Sequence, residues 1–165
     1  MIANRYDGQV PGQRSAPGVA FLLAQVGAAA TNRFAAALVE HDLTPPLAGV
    51  LRILTTESGL SQQALSERLG AAPSRVVGYL DDLEARGWIV RGRNAGDRRV
   101  NEVALTDAGN QAFLLVAGVG RRHEETVTAA LTGPERVELG RLLAKVAEAQ
   151  GLTVGVHPGY RGYRG

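Results

Sequence analysis

Basic side chains are concentrated in one short segment of this sequence. Between positions 86 and 99 there are five arginines and one acid, so this segment carries 5 − 1 = +4, whereas the whole chain carries +2. Guanidinium groups bind phosphates and guanine edges in a bidentate manner, and each neutralised phosphate releases condensed counterions. The segment therefore indicates salt-sensitive binding to a polyanion such as DNA. Its arginines are Arg86, Arg91, Arg93, Arg98 and Arg99.

Residue types suited to covalent or metal chemistry are scarce. The chain has no cysteine and three histidines that are far apart in sequence. It also lacks a glycine-rich phosphate loop with lysine, a serine elbow and a pair of histidines at helical spacing. We therefore expect neither an enzyme nor a disulfide, and neither a metal ion nor another cofactor.

The basic segment is predicted to form a β-hairpin. Residues 88–91 and 100–105 are rich in β-branched and apolar side chains and flank the polar turn 94–97. This arrangement predicts that Arg91, Arg93, Arg98 and Arg99 crowd the hairpin tip. The alternative for each arginine is an ordinary solvated surface charge with no role in binding.

Three helices are predicted between an N-terminal helix and the hairpin. Thr44 is a candidate cap for the first, which holds two prolines in its first turn and ends near Glu57. Ser61 caps the second, which ends at Gly70. The third begins near Pro73, carries an apolar stripe at Val76, Val77, Leu80 and Leu83, and ends at Gly87 in a Schellman-type turn.

This order of elements predicts the fold class: mainly α, an α+β winged helix-turn-helix. In that fold the second helix of the motif enters the major groove and the hairpin, or wing, lies on the flanking backbone. The candidate DNA contacts are then the residues at the helix starts and on the polar face of the third helix, together with the wing arginines. For Tyr79 a packed, half-exposed side chain is an equal alternative. The helix candidates are Ser61, Gln62, Ser74, Arg75 and Tyr79.

Two segments resemble the MarR (multiple antibiotic resistance regulator) family. Residues 83–91 look like the end of its recognition helix and its first wing strand. Residues 97–99, followed by residues 103–109, resemble its wing signature and the start of its long dimerisation helix. The resemblance extends over about residues 18–150. It implies a homodimeric transcriptional regulator of the repressor type that binds a palindromic operator. It also implies that Asp97 pairs with a neighbouring arginine, while Arg98 or Arg99 enters the minor groove.

The predicted recognition helix departs from the usual family pattern. Pro73 opens it, Gly78 stands where a polar or basic residue is common, and Asp82 lies toward the presumed DNA side. These departures affect the expected operator sequence more than the docking mode.

Apolar stripes on the outer helices predict a dimer. Three helices carry more apolar surface than the small winged lobe can cover. They are the N-terminal helix, a long helix from Thr106 to about Leu131, and a last helix with a capping box at Thr132 and Glu135. A twofold partner is the commonest solution. We therefore assign residues 18–43 and 107–150 to dimerisation and residues 44–106 to the DNA-binding lobe.

The family resemblance also implies a small aromatic or phenolic anion as effector, bound between the dimerisation helices and the DNA-binding lobe. The candidate residues on the helices expected to line this cleft are Arg33, His41 and His123. A histidine on an apolar stripe is more often a hydrogen-bonded interface residue than a ligand or proton sensor.

The ends of the chain are rich in glycine and proline, so residues 1–17 and 151–165 are expected to be a flexible arm and tail. The apolar run 19–30 imitates a secretory signal. However, its helical stripe continues to Leu38, and the run is shorter than the roughly 18 apolar residues that a membrane span needs. We therefore expect a cytoplasmic protein without membrane contact.

A winged-helix module that binds protein rather than DNA is the rival hypothesis, because a fold does not fix a function. The wing discriminates between the two, since a protein adaptor does not need an arginine-rich hairpin tip.

Overall fold

The computed structural model describes residues 17–93 and 101–152 of the chain. Within these ranges there are six α-helices and three β-strands. The arm and tail expected at 1–17 and 151–165 lie outside the described residues except for positions 17, 151 and 152, and so does the turn 94–97. The elements are α1 (Val19–Val39), α2 (Pro45–Thr56), β1 (Leu60–Ser61), α3 (Gln62–Leu69), α4 (Pro73–Ala85), β2 (Ile89–Arg93), β3 (Asn101–Leu105), α5 (Asp107–Val127) and α6 (Gly133–Ala149).

The hydrophobic core lies mainly in the lobe formed by α2, α3, α4 and the sheet, and it extends to Leu38 of α1 and to Ala112, Val116 and Val119 of α5. Helix α2 is at its centre, with nine of its twelve residues buried. The core leucines of α2, α3 and α4 are fully buried, and burial of each such side chain contributes about 1.5–3 kcal/mol. They include Leu51, Leu65, Leu69, Leu80 and Leu83.

The helix-turn-helix is confirmed at α3 and α4. The hydroxyl of Ser61 accepts a hydrogen bond from the backbone N–H of Ala64 at 3.2 Å, as an N-cap residue does. Gly70 ends α3 with a φ of 61°, a left-handed conformation that glycine adopts without strain. The turn is held from inside the lobe, because Ser66 donates from Oγ to the carbonyl oxygen of Ala71 at 2.6 Å.

Helix α4 ends in the predicted Schellman motif. Gly87 has a φ of 70°, its N–H donates to the carbonyl oxygen of Glu84 at 2.8 Å, and Trp88 donates to that of Leu83 at 2.9 Å. This turn directs the chain straight into β2, so the recognition helix and the wing are joined by a fixed connection.

The three strands form an antiparallel sheet in the order β1-β3-β2. The two wing strands were predicted, but β1 was not: the sequence indicated only that Ser61 caps a helix. Leu60 pairs with Val103 and Ser61 with Glu102. Two residues have no detectable periodicity, and their pairing depends on a segment about forty positions away in sequence, so no local pattern marks this strand.

Two predicted helix ends require correction. Thr44 occupies the N-cap position of α2, but its side chain makes no capping hydrogen bond. Pro45 and Pro46 lack backbone N–H groups, so fewer donors need a cap there. Helix α5 ends at Val127 rather than near Leu131. Just after Val127, the hydroxyl of Thr128 donates a hydrogen bond back to the carbonyl oxygen of Glu124 at 2.7 Å.

The outer helices leave much apolar surface exposed. Within α1 only Leu38 is buried, and α6 has no buried residue. By length and composition alone, α1 is long and apolar enough to cross a membrane. The shorter run 19–30, on which the sequence-based expectation rested, is too short for a span. Core helices of soluble proteins and signal sequences meet the same criterion as α1. The large exposed apolar side chains of the three outer helices include Val19, Phe21, Leu22, Leu23, Val26, Leu114, Leu115, Val137, Leu139, Leu142, Leu143 and Val146.

Candidate nucleic-acid interface

Helix α4 presents a polar face to solvent beside the wing. Val76, Leu80 and Leu83 anchor its other face in the core. Ser74 and Arg75 are exposed in its first turn, where the sequence placed candidate DNA contacts. The helix is therefore fixed by its apolar stripe, with the predicted contact residues accessible.

The other helix candidates are less accessible. Tyr79 is half-buried and packs against the core, which is the alternative that the sequence left open. Ser61 and Gln62 are half-buried where β1 meets α3, and the Ser61 hydroxyl is engaged by the N–H of Ala64. These three positions would offer less side-chain surface to a groove than Ser74 and Arg75.

Arg91 does not crowd the hairpin tip, contrary to the sequence-based expectation. It pairs with Val103 in the body of the sheet. Its guanidinium forms an ion pair with Asp81 through Nη2, and its Nε lies 3.3 Å from a carboxylate oxygen of Glu84. The physical reason is the closeness of β2 to the flank of α4: two carboxylates there lie within reach of an arginine in mid-strand.

Arg86 also pairs with a carboxylate on α4. Its Nε donates to Asp82 at 2.6 Å, and its Nη1 donates to the carbonyl oxygen of Asp42 at 3.0 Å. The guanidinium carbon lies 5.1 Å from the ring centroid of Trp88, within cation–π distance. The acid that the sequence placed toward DNA, Asp82, is therefore partly neutralised within the chain.

The tip of the wing lies mostly outside the described residues. Arg93 is the last residue of β2 and pairs with Asn101 through the backbone. Asp97, Arg98 and Arg99 fall outside the described ranges. Their predicted roles remain predictions.

A shallow pocket of about 130 Å³ lies between α1 and α5. It brings together all three effector candidates from the sequence analysis. Its charged and titratable lining consists of two arginines, two histidines and one acid, so it favours an anion. Among the residues that the structure describes, none of the His, Asp and Glu side chains form a group of three placed to hold a metal ion. The pocket is lined by Arg33, Ala37, Glu40, His41, Val119, Arg122, His123 and Thr126.

His123 is one of the two histidines of this pocket, and its ring is packed against an aromatic side chain. Its ring centroid lies 5.3 Å from that of Phe34, and its Nδ1 atom is buried without a hydrogen-bond partner among the described residues. Desolvation by burial lowers the pKa of His123, while the negative charge of Glu124 opposes this and the positive charge of Arg33 adds to it. The neutral imidazole is therefore favoured in the folded protein.

The sequence analysis missed several residues of these sites. Asp81 and Glu84 went unnoticed as partners of Arg91, and Arg122 as a second arginine of the pocket. The spacing of Asp81 and Glu84, three residues apart on one flank of α4, was the available signal. For Arg122 the signal was its position beside His123 on the predicted long helix.

Comparisons with known proteins agree with this architecture. A sequence model of the MarR family matches residues 41–100. The chain is 32% identical over 119 residues to a putative transcriptional regulatory protein for the hcr operon of Thauera aromatica, covering 72% of each chain. It is 31% identical over 126 residues to the HTH-type transcriptional repressor Rv2887 of Mycobacterium tuberculosis, covering 76% of this chain and 91% of that one.

Solved structures share the fold. The transcriptional repressor CouR, bound to a 23-mer DNA duplex, superposes with a TM-score of 0.69 and 30% identity over 79% of this chain and 92% of its own. Rv2887 in complex with DNA gives a TM-score of 0.68, and in complex with p-aminosalicylic acid 0.65, each at 29% identity over 79% of this chain and nearly all of the other. With the helix-turn-helix, the wing strands and these likenesses together, the chain belongs to the MarR family of transcriptional regulators.

Proposed function

We propose that this protein is a sequence-specific repressor that binds a palindromic operator in double-stranded DNA as a homodimer. Helix α4 enters the major groove with Ser74 and Arg75 leading, and the wing follows the flanking backbone with Arg93, Arg98 and Arg99. The observation that carries this proposal is the exposed polar face of α4 beside the paired wing strands. Two structural relatives with this architecture are DNA complexes.

The outer helices support a dimer. Exposed leucines and valines on α1, α5 and α6 form apolar surface of the kind that partner subunits cover. We assign residues 18–43 and 107–150 to this interface and residues 44–106 to the DNA-binding lobe. On this assignment α1 is buried between subunits rather than in a membrane, and the protein acts in the cytoplasm.

Selection of bound duplexes from a random pool tests DNA recognition. We expect an enriched palindrome whose affinity falls steeply as salt rises, because phosphate contacts release counterions. The double variant Arg98→Glu/Arg99→Glu should abolish that binding and leave the dimer mass unchanged. Failure of the wild-type protein to enrich any sequence would contradict the proposal and favour the protein-interaction module.

We further propose that the pocket between α1 and α5 binds a small aromatic carboxylate or phenolate that weakens operator binding. Arg33 and Arg122 provide positive charge, and His123, whose ring packs against that of Phe34, provides a ring surface. The structure of Rv2887 with p-aminosalicylic acid makes this compound a reasonable first probe. In calorimetry, Arg33→Met/Arg122→Met should weaken its binding, and Arg68→Met, outside the pocket, should not.

A further inference from the structure

Three carboxylates lie on the recognition helix itself, which is unexpected for a helix that approaches phosphates. Asp81, Asp82 and Glu84 are all on α4. Asp81 follows Ser74 by seven residues and Gly78 by three, so it shares their exposed face. An unpaired carboxylate on this face would repel the DNA backbone.

The structure pairs these acids with arginines of the adjoining segment. Asp82 is bound by Arg86 one turn further along. Asp81 and Glu84 both lie against Arg91, which belongs to the first wing strand rather than to α4. Arg91 therefore forms a bridge between the two elements that are proposed to enter DNA.

The surroundings of Arg91 favour a fixed position over a free surface charge. Its side chain is 26% exposed, compared with 58% for Arg68 in the ion pair with Glu57. Its Nε atom is shielded from solvent and has no hydrogen-bond partner among the described residues, although a carboxylate oxygen of Glu84 lies within ion-pair distance at 3.3 Å. A guanidinium held by two carboxylates has little freedom to reach toward a phosphate.

We propose that Arg91 is a positioning residue for operator recognition: it neutralises Asp81 and Glu84 and fixes the first wing strand against the recognition helix. This inference rests on the proposed DNA binding. Neutralising the two carboxylates favours binding to any duplex, because it removes their repulsion of phosphates. Fixing the wing strand favours the operator in particular, because a palindromic operator is recognised only when the helix and the wing reach their two grooves in one fixed geometry.

A mutant cycle on DNA binding separates this role from a direct phosphate contact. The cycle uses Arg91→Met, the double variant Asp81→Asn/Glu84→Gln, and the triple variant. For each protein the dissociation constant is measured for the selected operator and for an unrelated duplex of equal length. The readout is the dissociation constant for the unrelated duplex divided by that for the operator, so a lower ratio means lower specificity. Loss of a phosphate contact leaves this ratio nearly unchanged, because it weakens binding to all sequences about equally.

If Arg91 acts through the two carboxylates, Arg91→Met lowers the ratio about fivefold to tenfold, the double variant lowers it similarly, and the triple variant is no worse than either. If Arg91 instead contacts phosphate, Arg91→Met weakens both duplexes alike and does so undiminished in the double-variant background. That result would overturn the inference. Arg68→Met, which breaks an exposed ion pair elsewhere on the lobe, is the matched control and should leave the ratio unchanged.

A measurement without DNA keeps the inference testable if operator selection fails. In NMR spectra of the free protein, the Nε–H proton of Arg91 should exchange with solvent more slowly than that of Arg68. The difference should disappear in Asp81→Asn/Glu84→Gln. Equal exchange in the wild-type protein would show that Arg91 is not held, whatever the protein binds.

Discussion

Gly109 lies directly against the carbonyl oxygen of Trp88: a Cβ atom at Gly109 would be 1.9 Å from that oxygen. The same oxygen accepts the backbone N–H of Thr106 at 3.0 Å, and the Thr106 hydroxyl donates to the carbonyl oxygen of Gly87 at 2.7 Å. The start of the long helix α5 is thereby fixed to the end of the recognition helix and the base of the wing.

Gly109→Ala should destabilise the protein. The added methyl group has no room beside backbone atoms, and forced overpacking costs about 1–3 kcal/mol. Gly120→Ala is the matched control in the same helix, since a Cβ there meets nothing within 4 Å. That change should be neutral or stabilise by up to about 1 kcal/mol. Chemical denaturation of both variants measures the difference, and equal stabilities would contradict the close approach.

Arg86→Met should loosen the end of the recognition helix. The variant loses the pair with Asp82, the hydrogen bond to Asp42 and the contact with Trp88. Since the Asp82 side chain is 42% exposed and solvent screens the pair, we expect a loss of only about 1 kcal/mol in the free energy of unfolding. Trp88 is the single tryptophan of the chain, so its fluorescence should change in this variant.

Asp82→Asn is the control for that experiment. It weakens the ion pair but keeps the contacts of Arg86 with Asp42 and Trp88, so the fluorescence should stay close to that of the wild-type protein. An identical spectral change in both variants would argue against the stacked arrangement.

The pH dependence of stability should contain a contribution from His123. Burial lowers the pKa of His123 in the folded protein, whereas the unfolded chain binds this proton near the ordinary value of 6.5. The unfolded state therefore binds more protons in the window between the lowered pKa and 6.5, and stability falls as pH drops through that window. Above it the contribution is constant. Charged and titratable groups facing the imidazole are Arg33, Glu40, His41, Arg122 and Glu124.

Thermal unfolding between pH 5 and pH 8 tests this contribution, with His123→Gln expected to flatten the decline. NMR titration of the imidazole gives the pKa directly. A midpoint at or above 6.5 for His123 in the folded protein would refute the prediction.

Charges on the exposed apolar face of α6 should disrupt the proposed dimer. Leu142 and Val146 are four residues apart and both exposed, so they share one side of the helix. Leu142→Glu/Val146→Glu should shift the mass measured by light scattering from dimer to monomer and weaken operator binding. Lys145→Gln, at an exposed polar position of the same helix, should have neither effect. An unchanged mass in the glutamate variant would place the interface elsewhere.

Local features of the fold were predictable because nearby residues determine them. The caps at Ser61, Thr106 and Thr132 form hydrogen bonds within three residues, as their sequence patterns indicated. The left-handed turn at Gly87 and the apolar stripe of α4 are equally local. These features determined the order of helix, turn, helix and wing, and with it the family.

Contacts between distant segments required the tertiary structure. The pairing of Leu60 with Val103, the ion pairs of Arg91 with α4, and the pocket that joins Arg33 to His123 each connect elements that no short sequence pattern relates. The sequence alone identified which side chains are suited to bind DNA or an anion. Only packing decided their partners, because an arginine binds whichever carboxylate or phosphate the fold brings within a few ångströms.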